Sequence, residues 1–152
     1  MKIYLVRHGD ALPTEINQEN PLSPQGSENI EKIAKYLAKR SFPLTTILHS
    51  QKLRAKQTAE IFREYLTPET PLEEHRHLNP NDRIDAIATR VEAEFEDLMV
   101  IGHLPFLSKL TGYLVVGDED QILINYQPGT VACLEAIDGN WVIRWVVGLD
   151  QM

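Results

Sequence analysis

"MKIYLVRHGDALP", residues 1–13, sets the apolar run Ile3 to Val6 directly against Arg7, His8 and Gly9. A short run rich in β-branched and aromatic residues that closes on glycine reads as a buried strand followed by a turn. A guanidinium and a titratable imidazole at that edge are costly to desolvate unless they have work to do there. Whether they do depends on what the rest of the chain brings to the same place.

Apolar spacing beyond this point alternates between two periods. After the loop "GDALPTEINQENPLSPQG", Ile30, Ile33, Ala34 and Leu37 fall at helical spacing, with Ser23 as the expected N-cap and Pro24 at the first helical position. "TTILHS" reads as a second short strand, and Ser50 is the expected cap of a helix burying Ala55, Ala59, Phe62 and Leu66. The Pro-containing segment "TPETPLEEHRHLNPND" reads as irregular, with a short strand near Leu72. Asp82 is then expected to cap a helix whose stripe is Ile84, Ile87, Ala88, Val91 and Phe95. "DLMVIGH" reads as a third buried strand. Pro105 opens a helix with Leu107, Leu110 and Leu114 inward. A strand is expected over Ile122 to Tyr126. "VACLEAI" and "WVIRWVV" then form a hairpin across Asp138, Gly139 and Asn140, with Trp141 and Trp145 as an apolar stripe.

Strand, helix, strand, helix, strand, helix implies right-handed crossovers. The expected fold is three-layer α/β/α, a mainly parallel sheet with helices on both faces and an antiparallel C-terminal portion. The size, 152 residues, and a composition 43% hydrophobic and 24% charged suit one domain over residues 1–152. Fifteen basic residues against twenty-two acidic give a net charge of -7, which argues against nucleic acid or an anionic membrane as partner. Any anion must be held locally. Cys133, the one cysteine, allows no internal disulfide and is expected buried in a strand. There is no basic leader running into an apolar core, and no run approaches the ~18 apolar residues of a membrane span. The expectation is a soluble, cytoplasmic, monomeric protein.

Ligands of such sheets bind beyond the carboxyl ends of the strands. Three junctions meet there. The first carries Arg7, His8 and Gly9, the second runs through His49 and Ser50 to Arg54, and the third carries Gly102 and His103. Two arginines offer planar forks of donors to phosphate oxygens. A neutral imidazole beside them can attack phosphorus and hold the phosphoryl group as a phosphoramidate, while a second donates to the equatorial oxygens. Gly9 and Gly102 are expected to let backbone approach the ligand.

These residues resemble the histidine phosphatase superfamily, also called phosphoglycerate mutase-like. The matching segments are "LVRHGDA", "SQKLRAKQTAE" and "VIGHLPFL", with "PLSPQG" like the opening of the first helix in many members. The resemblance implies that His8 is the phosphoryl-accepting nucleophile, that Arg7 and Arg54 bind phosphate, and that His103 contacts the same group. It also implies that no metal or other cofactor is needed. Within the superfamily, the short length and the "GHLP" turn look most like the SixA-type phosphohistidine phosphatases. Larger members carry a carboxylic acid, supplied between the equivalents of Arg54 and His103, that protonates the leaving alcohol.

Here that interval is short, with Glu73 and Glu74 as the available candidates. An alkoxide needs a proton from the enzyme, whereas imidazole is protonated at a pKa of about 6.5 and leaves phosphorus readily. A site without an acid therefore suits a P–N bond. The implied substrate is phosphohistidine on a protein, by analogy a histidine-containing phosphotransfer domain in signalling. Three other readings stay open: a small-molecule phosphomonoester phosphatase using Glu73 or Glu74, a binding module for a phosphorylated partner, and a metal site from His75, His77 and Asp82.

Overall fold

A computed structural model describes residues 1–152. Its frame is a six-stranded sheet in the order β3-β2-β4-β1-β5-β6. The strands are β1 (Lys2–Arg7), β2 (Thr46–His49), β3 (Leu72–Glu74), β4 (Leu98–Gly102), β5 (Val131–Ile137) and β6 (Asn140–Val147). The pairs β1/β4, β2/β4 and β2/β3 are parallel, while β1/β5 and β5/β6 are antiparallel. The mixed α/β layering expected from the sequence is the fold observed.

Four helices, α1 (Pro24–Leu37), α2 (Leu53–Leu66), α3 (Asp85–Ala93) and α4 (Phe106–Val116), cover both faces. The pleat of β1 sorts its side chains. Ile3 and Leu5 join a core with Ile87, Val91, Phe106, Leu107 and Leu110 of α3 and α4. Tyr4 and Val6 join the opposite core with Ile30, Ile33, Ala55, Ala59 and Phe62 of α1 and α2. Because β1, β4 and β2 run parallel and adjacent, Arg7 stands level with Gly102, and His49 with Ile101, so their exit loops share one edge. No helix is long and apolar enough to cross a membrane.

Ser23 caps α1 as expected, its hydroxyl accepting from Gly26 N at 2.9 Å, with Pro24 in the first turn. Gly26 is required by a close approach: a Cβ there would sit 2.1 Å from the carbonyl oxygen of Asp10. The hairpin turns on Asp138 and Gly139, with φ of 51° and 82°, the left-handed pair a two-residue turn demands.

Local cap logic failed at two positions. α2 begins at Leu53 behind Lys52 with no side-chain cap: Ser50 lies two residues before the cap position, and its hydroxyl oxygen accepts from Lys52 N at 3.2 Å instead of from the first turn of the helix. α3 begins at Asp85 behind Ile84, and Asp82 instead accepts from Asn79 N at 2.9 Å within its own turn. α3 also ends at Ala93, leaving Phe95 92% exposed in the turn that leads to Asp97, whose carboxylate accepts from Lys2 N at the entrance to β4.

Residues 122–126 form no strand. Ile124 and Tyr126 are buried, but Ile122, which a strand would place on the same face, is exposed; both sides of β1 are already paired, and the Tyr126 carbonyl accepts from an arginine side chain instead. The Trp141 and Trp145 stripe is also divided. A bulge between Cys133 and Leu134 leaves Arg144 without a partner in register, so Trp141 packs on the α3/α4 core and Trp145 on the α1/α2 core. Trp145 lies 5.9 Å from the Tyr4 ring, with Arg40 stacked over it at 4.6 Å. Cys133 is buried in β5 as expected.

Candidate active site

β1, β2 and β4 bring His8, Arg54 and His103 to one edge, with Arg7 on the last residue of β1. The His8 and His103 rings lie 4.8 Å apart, tilted by 57°. His8 and the residue after it are tied down by three hydrogen bonds. Its backbone N–H donates to Gly102 O at 3.0 Å, its ring Nδ1–H donates to Gly9 O at 2.7 Å, and Gly9 N donates to Thr58 Oγ1 at 3.1 Å. Because a carbonyl can only accept, Nδ1 carries the proton. The Nε2 lone pair is left free.

Burial, followed by the positive charges of Arg54 and Arg7, lowers the His8 pKa from 6.5 to about 4, against the opposing pull of the Gly9 carbonyl. His103, 1% exposed, is lowered to about 3 by burial, by His8 and by Arg54, Lys52 and Arg7. Both imidazoles are therefore neutral near pH 7.

The arginines are held without being neutralised. Arg7 Nη1 donates to Tyr126 O at 2.8 Å, and Tyr126 is anchored in turn by its hydroxyl, 2.7 Å from Thr111 Oγ1. No ion pair in the chain includes Arg7, Arg54 or Lys52. Two buried nitrogens, Arg7 Nε and His103 Nδ1, have no partner. Unpaired cations and buried nitrogens without a partner favour an oxyanion of high charge.

Several supports were not read from the sequence. Thr58 braces Gly9 and is itself fixed by donating to Arg54 O at 2.8 Å, so helix α2 ties the loop of His8 to the turn of Arg54. Gln57 accepts from Leu22 N at 2.8 Å. Both lie in "RAKQTAE", where the signal was available as a motif without an assigned contact. Lys52 and the Tyr126 carbonyl had no signal of their own.

Gly9 does not make room for ligand. Its missing Cβ faces Ile30 at 2.8 Å, and a Cβ at Gly102 would meet Leu107 at an ordinary 3.5 Å, so the space at Gly9 serves packing on α1.

Glu73 lies on β3 rather than in a loop and is paired with Arg90 Nη1 at 2.9 Å. Glu74, the last residue of β3, is exposed. Among carboxylates, Asp10 is the one whose charge reaches His8, and its Oδ2 accepts the Ser23 hydroxyl at 2.9 Å. The rings of His75 and His77 lie 5.7 Å apart with His77 N donating to His75 Nδ1, and Asp82 is occupied by Asn79. The chain nowhere groups three metal-ligating side chains.

The largest cavity, about 620 Å³ and lined in part by Asp10, Asn29, Gln127 and Thr130, lies beside these residues. None of the four principal cavities is lined by Arg7, His8, Arg54 or His103. No large cavity opens over the edge they occupy.

The profile of the histidine phosphatase superfamily (branch 1) matches residues 3–82. The phosphohistidine phosphatase SixA of Escherichia coli (strain K12) is 25% identical over 150 residues, covering 95% of this chain and 92% of that protein. The structure of the protein histidine phosphatase SixA complexed with tungstate superposes with a TM-score of 0.86 at 23% identity, over 97% of each chain. That of the alpha-ribazole phosphatase from Shigella flexneri superposes at 0.72 with 16% identity, over 95% of each chain.

Proposed function

The chain belongs to the histidine phosphatase superfamily, and on that premise we propose that it removes phosphate from phosphohistidine carried by a protein partner, through a phosphorylated His8. The observation that carries the reading is the His8 imidazole itself. It is neutral, its proton is committed to the Gly9 carbonyl and its Nε2 is free, beside His103 and two unpaired guanidinium groups.

In this reading the Nε2 lone pair attacks phosphorus, a new P–N bond forms, and the substrate's P–N bond breaks. Its electron pair returns to the leaving imidazole nitrogen, which takes a proton from solvent. Exchange of one P–N bond for another is nearly balanced in energy. Water then attacks phosphorus on His8, releasing inorganic phosphate and restoring the free Nε2. Arg7 and Arg54 hold the phosphoryl oxygens, and His103 donates to them as charge shifts in the transition state.

Two features favour a protein-borne substrate. None of the principal cavities lies over the site residues, which suits a side chain presented on a docked domain. The carboxylate of Glu73 is engaged by Arg90, so one candidate proton donor for an alkoxide is already committed. The similarity to SixA supports the same substrate class, and by that analogy the partner is a histidine-containing phosphotransfer domain, met in the cytoplasm by a single-domain, monomeric enzyme that needs no metal.

The test offers equal amounts of a phosphohistidine protein and p-nitrophenyl phosphate to the wild type and to His8→Ala. Release from the phosphohistidine alone, lost in the variant, is expected, with an acid-labile phosphate trapped on wild-type His8. Release mainly from the ester moves the function to small phosphomonoesters. Binding of the phosphorylated protein without release, and without labelled His8, makes this a binding module.

A further inference from the structure

We propose that Ser50 is a positioning residue that fixes the tautomer of His103, so that this imidazole presents Nδ1–H to the phosphoryl group. The proposal rests on the assignment of His8 and His103 to one site. Ser50 is fully buried, and its Oγ lies 2.6 Å from His103 Nε2. A hydroxyl carries one proton and can accept elsewhere, and here Lys52 N donates to the same oxygen at 3.2 Å.

Two arrangements compete. If Ser50 donates to Nε2, the hydroxyl proton, Nε2 and the Lys52 N–H are all satisfied, and the single orphan is an N–H at Nδ1. If Nε2–H donates to Ser50, the hydroxyl proton loses its partner and Nδ1 becomes an unpaired lone pair. The second arrangement buries two orphans where the first buries one, and leaving a buried polar group unpaired is what folding avoids. The first also turns a donor toward an incoming oxyanion, where the second would face it with a lone pair.

Since burial and the neighbouring cations keep His103 singly protonated, the choice of nitrogen decides whether it helps or hinders. Ser50 is itself rigidly placed. Its N–H donates to Ile101 O at 3.3 Å, and its carbonyl accepts from His49 Nδ1–H at 2.8 Å, so β2 and β4 set the hydroxyl against His103. Ser50 and Arg54 open one segment, which thus delivers a phosphate-binding charge and the control of a donor together.

The test is long-range ¹⁵N–¹H correlation NMR of the imidazoles in the full chain at pH 7, joined to kinetics. In the wild type His103 is expected to show a protonated Nδ1 and an unprotonated Nε2. Ser50→Ala is expected to lose that signature and to lower kcat about tenfold, the value of one hydrogen bond of ~1.4 kcal/mol, with KM little changed. Ser50→Thr, which keeps the hydroxyl, is expected to restore both. A wild-type spectrum with the proton on Nε2 overturns the proposal by itself, as does a folded Ser50→Ala with unchanged tautomer and kcat. Absence of turnover from any phosphate donor would defeat the proposed function, while the resting spectrum would still decide the role of Ser50.

Discussion

Acid should unfold this protein through its own candidate site. Free imidazole titrates near 6.5, whereas His8 and His103 in the folded chain titrate at about 4 and about 3 because burial and nearby cations oppose their protonation. As the pH falls from 7, the unfolded chain takes up protons at both positions and the folded chain does not. Stability is therefore complete above the unfolded value and is lost progressively toward the folded values. Between pH 7 and pH 5 the linkage integrates to about 2 kcal/mol per histidine, about 4 kcal/mol for the pair. Neither ring is protonated in the native state at pH 5, so their mutual repulsion does not alter the sum.

Urea titrations at the two pH values measure this directly, with about 2 M expected between midpoints for an m of ~2 kcal/mol/M. The control is the double variant His8→Asn, His103→Gln, chosen because the Asn amide can donate where Nδ1 does and the Gln amide can reach where Nε2 does. Carboxylates titrate alike in both proteins and cancel in the difference. The wild type is expected to lose about 4 kcal/mol more than the double variant. Parallel loss in the two proteins would refute the claim that these imidazoles are buried neutral.

Two other expectations follow from close contacts. Gly26→Ala drives a methyl group into the Asp10 carbonyl, where no flexible side chain can yield, and is expected to cost about 1–3 kcal/mol in urea titration and to lower phosphatase activity by displacing the loop after His8. Glu73→Gln breaks only a partly exposed pair with Arg90, so a stability loss within ~1 kcal/mol and nearly unchanged phosphohistidine turnover are expected; a large fall in kcat would make Glu73 the proton donor.

The fold was legible where periodicity and burial agree. Ile3 to Val6, Ile30 to Leu37 and Leu98 to Gly102 have one stable way to hide their apolar sides, and that fixed the sheet and the meeting of Arg7, His8, Arg54 and His103 at one edge. What was lost had a competing claim on the same atom. Ser50 is as good a cap by local rules as Ser23, but α2 starts two residues too late for it, and its hydroxyl lies against the distant His103. Asp82 closes its own turn before it can reach a helix. Ile122 to Tyr126 alternates like a strand, yet pairing needs a free edge, which no local pattern reports. The bulge at Arg144 is one residue in register and leaves no mark on composition, although it sends two tryptophans to opposite faces.

The division of apolar residues into two cores with a sheet between them bears on how such a chain tolerates change. A substitution among Ile87, Val91 and Phe106 has no direct contact with one among Ile33, Ala59 and Phe62, so their costs should add without epistasis. Each layer can then drift at its own pace, accumulating compensations internally, while only the strand ends need answer to both. On this view a backbone can stay superposable at a TM-score of 0.86 when fewer than one residue in four, 23%, remains identical.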